Sequence, residues 1–411
     1  MQQPFVIVGA GHAGGRAALA LREAGFGGRV LLIGEEPHLP YERPPLSKQA
    51  LLEGGALPAL APAGHYAEQG IEHLAGTRVL ALDTAARRLT LSAGAPLHYD
   101  RLLLATGGQP RRLAQAPAHL AGVHYLRSWD DAQRLRAALR PAARVVVVGG
   151  GFIGLEAAAA ARQLGCQVSV LEAGERLAAR ALPASASAAL LALHQAEGTE
   201  VYLGASVLAV EGRRQVEAVR LADGRSLPCE VLLVGIGIAA NLALAEAAGL
   251  ALGNGIRVDA CLRSSAPQVF AAGDVCEFPC AHSGTWQRQE TWRNAEAQGR
   301  LAALNMLGAE QAFEGLAGFW SDQYGWSLQL VGHQPGGAEV VRRRLGEGWL
   351  DAYLDSRGRL CGACAFAPGN SGAKALQLLE RLILAGAAPS PAALADPATP
   401  LKQLLKEAAH A

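Results

Sequence analysis

No cysteine occurs before Cys166 in this chain of 411 residues, so its N-terminal part cannot carry a redox-active dithiol. Lysine is scarce, found only at positions 48, 374, 402 and 406, and arginine supplies nearly all other positive charge. The formal net charge is only +1, which argues against nucleic acid or an anionic membrane surface as a partner. Long apolar runs are missing too. The most apolar stretch, residues 231–245, is uncharged but falls short of the ~20 residues a spanning helix needs, and Gly235 and Gly237 within it fit a buried strand and a turn. Met1-Gln2-Gln3-Pro4 carries no basic segment or cleavage-site pattern, so a cytoplasmic location is expected. His65, His73, His119, His124 and His282 show no metal-ligand spacing, and no metal site is expected.

What the chain does have is room for two or three domains, with half of its residues hydrophobic, and two glycine fingerprints. Gly9-Ala10-Gly11-His12-Ala13-Gly14 follows the apolar run Phe5-Val6-Ile7-Val8, and Gly149-Gly150-Gly151-Phe152-Ile153-Gly154 follows Val145-Val146-Val147-Val148. Each opens into an alanine-rich helical stretch. In such a turn the first glycine permits the tight strand-to-helix reversal, and the second lets backbone approach a pyrophosphate. The third lets the helix pack close to the strand, so that the anion meets free N–H groups at the positive end of the helix dipole. One such match is weak in a chain with 49 glycines, but two in the right context predict two dinucleotide sites.

A carboxylate that can take ribose hydroxyls is expected at the end of the strand after each fingerprint, and Glu35 and Glu172 are read as that pair at matched offsets. A carboxylate at 172 repels a 2′-phosphate, which favours NADH over NADPH, although Arg176 and Arg180 stand nearby. Two further strands end in glycine turns: Leu102-Leu103-Leu104 runs into Ala105-Thr106-Gly107, and Val269-Phe270-Ala271 runs into Ala272-Gly273-Asp274. Asp274, at a carboxyl end, is placed to accept from the sugar-alcohol chain of a flavin.

Because that strand follows the second fingerprint, the first domain is expected to be interrupted by the second. The expected fold is α/β, with two Rossmann-like dinucleotide-binding domains, one inserted in the other, plus a C-terminal α+β domain. Its segments are residues 1–113 and 241–315 for the first nucleotide-binding domain, 114–240 for the inserted one and 316–411 for the last. Within this last piece, 326–332 and 349–354 read as strands and 374–384 as a helix. Cys361 and Cys364 have C-x-x-C spacing, but on a strand, where side chains three apart point to opposite faces. Inert packing is the expectation there and at Cys276 and Cys280.

The sequence resembles the FAD-dependent, NADH-linked ferredoxin reductases that serve Rieske oxygenases and bacterial cytochromes P450, and the related rubredoxin reductases. The resemblance spans essentially the whole chain. Its most specific match is Pro40-Tyr41-Glu42-Arg43-Pro44-Pro45-Leu46-Ser47-Lys48. Others are Leu126-Arg127-Ser128, Gly149 to Glu156, Gly273-Asp274-Val275, Glu290-Thr291-Trp292-Arg293-Asn294-Ala295 and Phe319-Trp320-Ser321-Asp322-Gln323-Tyr324. One departure is Ala240, where the family usually has proline before the asparagine.

The resemblance implies that Lys48 and Glu156 are a catalytic pair near the nicotinamide and the flavin N5. It implies that Arg43 and Arg127 bind FAD phosphate or ring oxygens and that Trp292 and Trp320 flank the isoalloxazine. Cofactor contacts are also implied for Val79, for Ala105, Thr106 and Gly107, for Gly235, Ile236 and Gly237, for Arg180 and for Gly273. Within the fingerprints they fall on Gly9, Gly11, His12, Ala13 and Gly14, and on Gly149, Gly151, Phe152, Ile153 and Gly154. His12 reads from the residues alone as a spacer. The implied chemistry is hydride transfer from NADH to FAD, then single electrons to a [2Fe–2S] ferredoxin. The alternatives are reduction of rubredoxin or another small acceptor, and a non-catalytic FAD/NADH-binding sensor resembling apoptosis-inducing factor. Arg342-Arg343-Arg344 is the visible candidate for docking an acidic ferredoxin.

Overall fold

The computed structural model describes residues 3–408, and the chain divides into two compact units. One comprises residues up to Pro44 with Ala56–Gln109 and Ile238–Leu316; the other comprises Pro45–Gly55, Pro110–Gly237 and the residues from Ala317 onward.

The first unit is built on a five-stranded parallel sheet in the order Val269–Ala271, Arg101–Leu104, Phe5–Val8, Val30–Ile33, Ile71–Leu74. Phe5–Val8 and Val30–Ile33 are buried along their whole length, as parallel strands covered on both faces must be. Val8 stands in register with Ile33 and Leu104, so three carboxyl ends finish level and open one crevice. Helix His12–Glu23 starts at that edge. Helix Trp292–Met306 lies directly on it at Gly299, where a Cβ would strike the Ala13 backbone. An antiparallel meander of Val79–Asp83, Arg88–Leu91 and Leu97–His98 and a small sheet of Ile256–Arg257, Cys276–Pro279 and Trp286–Gln287 belong to the same unit.

The second unit repeats the plan. Its parallel sheet runs Glu200–Leu203, Gln167–Glu172, Arg144–Val148, Val231–Val234, Val123–Tyr125, with a meander of Val207–Glu211, Ala218–Leu221 and Ser226–Pro228. The two plans differ in the source of one edge strand: Val269–Ala271 comes last in its sheet, whereas Val123–Tyr125 comes first. That is the topology of a nucleotide-binding fold interrupted by another copy of itself.

The second unit also holds an antiparallel sheet in the order Gly318–Gln323, Trp326–Gly332, Leu360–Pro368, Gly348–Leu354, Glu339–Leu345. Helix Ala373–Leu384 covers it with Leu376, Leu379, Leu382 and Ile383, spaced for one helical face. The expected strand at 326–332 forms with those bounds, the next starts one residue early at Gly348, and the expected helix starts at Ala373. A two-residue turn, Tyr324 at φ +52° and Gly325 at φ +78°, joins the first two strands, as tight hairpins require of both central residues.

Candidate functional site

Gly9 and Gly149 adopt φ of +110° and +107°, and a Cβ on either would strike the next strand's end, at Ala105 and Gly235 respectively. Each turn therefore admits only glycine. Gly14 and Gly154 press against the carbonyls of Gly9 and Gly149, which brings each helix onto its strand. Gly11 and Gly151 are different. Each caps its helix without a side-chain hydrogen bond, and the space that a Cβ would take is open at Gly151 and bounded at Gly11 only by Arg43 Nη2 at 3.9 Å. Both are cradles with free N–H groups at a helix start, which is what a pyrophosphate needs.

Around the first cradle the fold gathers residues remote in sequence. Arg43 Nη2 donates to Glu36 Oε1 at 2.6 Å and its guanidinium lies over the Tyr41 ring. Burial works against the Arg43 charge, but Tyr41, Glu36 and Asp274 outweigh it and hold its pKa above the ordinary value. Asp274 sits in the 3-10 turn Gly273–Val275 beyond the last strand, and Gly273 N–H donates to the buried Gln298 Oε1. Trp292, first in its helix, donates Nε1–H to Glu42 Oε2 at 2.8 Å. The buried His12 rests 4.9 Å from the Trp292 ring, with Nε2 held by Glu296 at 2.9 Å. Thr106 and Asn241 exchange hydrogen bonds through Thr106 Oγ1 and Asn241 Nδ2, so the asparagine keeps its place with Ala240 before it. Ala105 and Gly107 flank that contact, and Val79, half-buried, begins its strand. Glu36 and Gln298 escape a motif reading, because only their partners Arg43 and Gly273 reveal them.

The two strand-end carboxylates are not at matched positions, which corrects the expectation. Gly9 N–H bonds Ile33 and Gly149 N–H bonds Leu171, so the counterpart of Glu172 is Gly34, not Glu35. The cause is steric. A Cβ at Gly34 would lie 2.7 Å from that of Ala10, whereas Gly150 leaves room for Glu172, whose Cβ lies 3.1 Å from where its own would be. Glu35 therefore extends one residue further on, exposed and ion-paired with Arg78. Glu172 accepts from Gly150 N–H at 2.8 Å and from Gly174 N–H at 2.7 Å, one to each carboxylate oxygen. Each oxygen keeps a lone pair for a ribose hydroxyl.

In the second unit Arg176 is occupied by the carbonyls of Ala179 and Leu182 and by Ser187 Oγ, whereas Arg180 reaches the turn of Gly235, Ile236 and Gly237, with Nη2 3.3 Å from where a Gly237 Cβ would be. Phe152 packs on Phe319 at 4.7 Å between centroids, and Ile153 is exposed beside the open Gly151. Arg127 precedes the capping box of helix Trp129–Ala138, its own N–H on Asp131.

Lys48 and Glu156 meet within this unit. Lys48 Nζ lies 3.3 Å from Glu156 Oε1, 3.7 Å from Asp322 Oδ2 and 5.9 Å from the Trp320 ring centroid. Ser47 Oγ donates to Glu156 Oε2 at 2.5 Å and Ser321 Oγ to Oε1 at 2.6 Å. Burial pushes the Glu156 carboxyl above its usual range, opposed by Lys48 and the two serines.

The arginine run does not form one surface. Strand alternation turns Arg343 inward, where it is buried and donates to the carbonyls of Leu394, Asp396, Pro397 and Thr399, while Arg342 pairs with the buried Asp351. Only Arg344 of the three is uncommitted to such a clamp. All seven cysteines are free, six of them buried; Cys361 Sγ donates to Tyr353 O, and burial pushes the Cys229 thiol up to about 12. Among the described residues no metal-binding cluster occurs and no helix is long and apolar enough to cross a membrane.

Two glycine-turn nucleotide folds and an antiparallel C-terminal sheet define a two-nucleotide oxidoreductase. The chain belongs to the pyridine nucleotide-disulphide oxidoreductase family, which its residues 3–299 match, and residues 318–405 match the reductase C-terminal family. It is 42% identical to the anthranilate 1,2-dioxygenase system ferredoxin–NAD(+) reductase component of Burkholderia cepacia, over 98% of this chain and 99% of that one. It is 39% identical to the p-cumate 2,3-dioxygenase system ferredoxin–NAD(+) reductase component of Pseudomonas putida, over 97% of each. Among solved structures it is similar to the covalent putidaredoxin reductase–putidaredoxin complex, with a TM-score of 0.94 and 33% identity over 100% of this chain and 99% of that one. FAD and NAD(H) are the cofactors that go with this family.

Proposed function

We propose that this chain is the reductase of an oxygenase system, taking two electrons from NADH and delivering them singly to two molecules of a [2Fe–2S] ferredoxin. FAD, when bound, supplies the step that splits a hydride into single electrons. The observation that carries the reading is the ion pair of Lys48 with the buried Glu156, in the unit that contains the second glycine turn. It is a fixed polar group of the kind that orients a nicotinamide, and no thiol precedes Cys166 to divert the electrons. The names of the relatives, which are ferredoxin–NAD(+) reductase components, support the acceptor.

The residues divide the work as follows. Gly149, Gly151, Phe152, Ile153 and Gly154 take the NADH pyrophosphate at the helix start, with Gly235, Ile236, Gly237 and Arg180 beside it. Glu172 takes the adenosine ribose and turns away a 2′-phosphate. Gly9, Gly11, His12, Ala13, Gly14, Arg43, Ala105, Thr106, Gly107, Gly273 and Asp274 hold FAD, with Glu35 and Val79 at its adenosine end and Trp292, Trp320 and Arg127 toward the ring. The Lys48 ammonium, oriented by Glu156, offsets negative charge that builds at the reaction centre. The four segments 1–113, 114–240, 241–315 and 316–411 are proposed as FAD, NADH, FAD and C-terminal reductase pieces. Seven free cysteines support a reducing, cytoplasmic setting.

The test is stopped-flow reduction of the flavin-loaded protein by NADH, followed by mixing with a [2Fe–2S] ferredoxin, a rubredoxin or oxygen. Rapid reoxidation by ferredoxin and slow reoxidation by oxygen is the expected result. Fast transfer to rubredoxin alone, or a long-lived reduced protein with every acceptor, would refute it.

A further inference from the structure

The Lys48–Glu156 pair is one end of a longer buried chain of hydrogen bonds, all within the second unit. Ser321 Oγ donates to Glu156 Oε1 at 2.6 Å, Gln323 Nε2 donates to Ser321 Oγ at 2.9 Å, and His194 Nε2 lies 2.6 Å from Gln323 Oε1. Ser321 and Gln323 stand two apart on one strand and so share a face. His194 comes from the last turn of helix Ala184–Ala196 and has no exposed surface.

A carboxylate can only accept, and that sets the direction of every link. Ser321 has one proton and gives it to Glu156, so its oxygen must accept from the Gln323 amide. The Gln323 carbonyl then faces His194, which must present Nε2–H. Nδ1 is left as the lone-pair nitrogen, buried and without a partner. Burial holds the imidazole below its ordinary pKa, with the Gln323 bond opposing, so the ring is the neutral Nε2–H tautomer the chain requires. The Tyr324 ring stands edge-on at 5.3 Å and fixes its plane.

We propose that His194 is a positioning residue of the nicotinamide site: through Gln323 and Ser321 it keeps the Ser321 proton on Glu156 and so holds that carboxylate in place for Lys48. This rests on the reading of Lys48 and Glu156 as part of the NADH site. Without the Nε2–H donor, the Gln323 carbonyl has no partner and its amide can turn over. A carbonyl then faces Ser321, which redirects its proton to Gln323, and Glu156 is left with Ser47 and Lys48 alone. His194 touches no reacting atom, so its loss acts on the rate at saturating NADH and not on NADH binding.

The experiment measures the limiting rate of flavin reduction and the NADH Kd for flavin-loaded His194→Met, His194→Gln, Ser321→Ala and the His194→Met/Ser321→Ala pair. Expected is a roughly three- to tenfold lower limiting rate for His194→Met, with Kd within about twofold of wild type. His194→Gln, which keeps an N–H donor at the same reach, should recover most of the rate. Ser321→Ala, which removes a single buried oxygen and so preserves packing if His194→Met does not fold, should slow reduction by a similar factor. Adding His194→Met to Ser321→Ala should cost nothing further. A wild-type rate in Ser321→Ala or His194→Met overturns the proposal. So do additive losses in the pair, or a His194→Gln variant as slow as His194→Met. Lys48→Met is measured alongside: if it reduces at the wild-type rate, the NADH-site reading fails, whereas a slow Lys48→Met with a fast His194→Met removes only the relay.

Discussion

Lys48 and Glu156 form an ion pair at 3.3 Å whose side chains are only 11% and 5% exposed. Two charges so placed have given up most of their water, and removing one strands the other. Lys48→Met should lower stability by about 3–5 kcal/mol and slow flavin reduction by NADH at least tenfold. The double variant Lys48→Met/Glu156→Gln should regain most of the stability and none of the rate. Denaturant titration with stopped-flow reduction checks both, and a double variant as fast as wild type would refute a chemical role for the pair.

Glu172 is held by two backbone N–H groups, so its carboxylate points in one direction only. Replacing Glu172 by Ala removes the like charge that a 2′-phosphate would meet. The ratio of kcat/KM for NADPH to that for NADH should rise on the order of tenfold, largely by loss on NADH. A wild-type protein that uses both nucleotides equally well would contradict this assignment.

Asp274 lies close enough to Arg43 to favour its charge, at the carboxyl end of a strand beside the first glycine turn. Asp274→Ala should purify with little flavin and bind added FAD more weakly by about tenfold or more, as read by the absorbance ratio and by fluorescence titration. Purification with a full complement of flavin would remove Asp274 from the FAD site.

Arg343 and Arg344 are neighbours with opposite duties. Arg343→Met strands four carbonyls between Leu394 and Thr399, so thermal unfolding should show a loss of about 2–4 kcal/mol, with faster proteolysis near residues 394–399. Arg344→Glu, on the solvent side, should leave stability within about 0.5 kcal/mol. The reverse order would mean that the strand faces are assigned wrongly.

The thiols give a separate check. Burial raises the thiols of Cys166, Cys229, Cys261, Cys276, Cys361 and Cys364, and Cys261 is the one cysteine that keeps partial exposure. At pH 8 a disulfide reagent should label no more than about one thiol per native chain quickly, and all seven after unfolding. Two or more fast native thiols would point to a reactive pair.

Much of the fold is legible in the sequence, because it depends on neighbours along the chain. Four aliphatic residues that lead into a glycine fingerprint read as a buried strand, and Gly9 and Gly149 mark where φ must turn positive. The C-terminal strands expected at 326–332 and 349–354 follow from the same local rules. The positions of Glu172 and Asp274 at strand ends are readable in this way as well, although their duties are not.

Choices between adjacent residues were left to the tertiary structure. Nothing in Gly34-Glu35-Glu36 says that Ala10 bars a side chain at 34, or that Glu36 holds Arg43. Arg342-Arg343-Arg344 looks uniform until the strand's two faces meet Asp351 on one side and the 394–399 carbonyls on the other. Likewise Ser47, Ser321, Gln323 and His194 become one network around Glu156 only when four distant segments pack together. Backbone stereochemistry and hydrophobic period are local, so the sequence by itself determined the strands, turns and nucleotide cradles. Hydrogen bonds and ion pairs depend on distances between remote residues, so only the packed structure decided which side chains serve them.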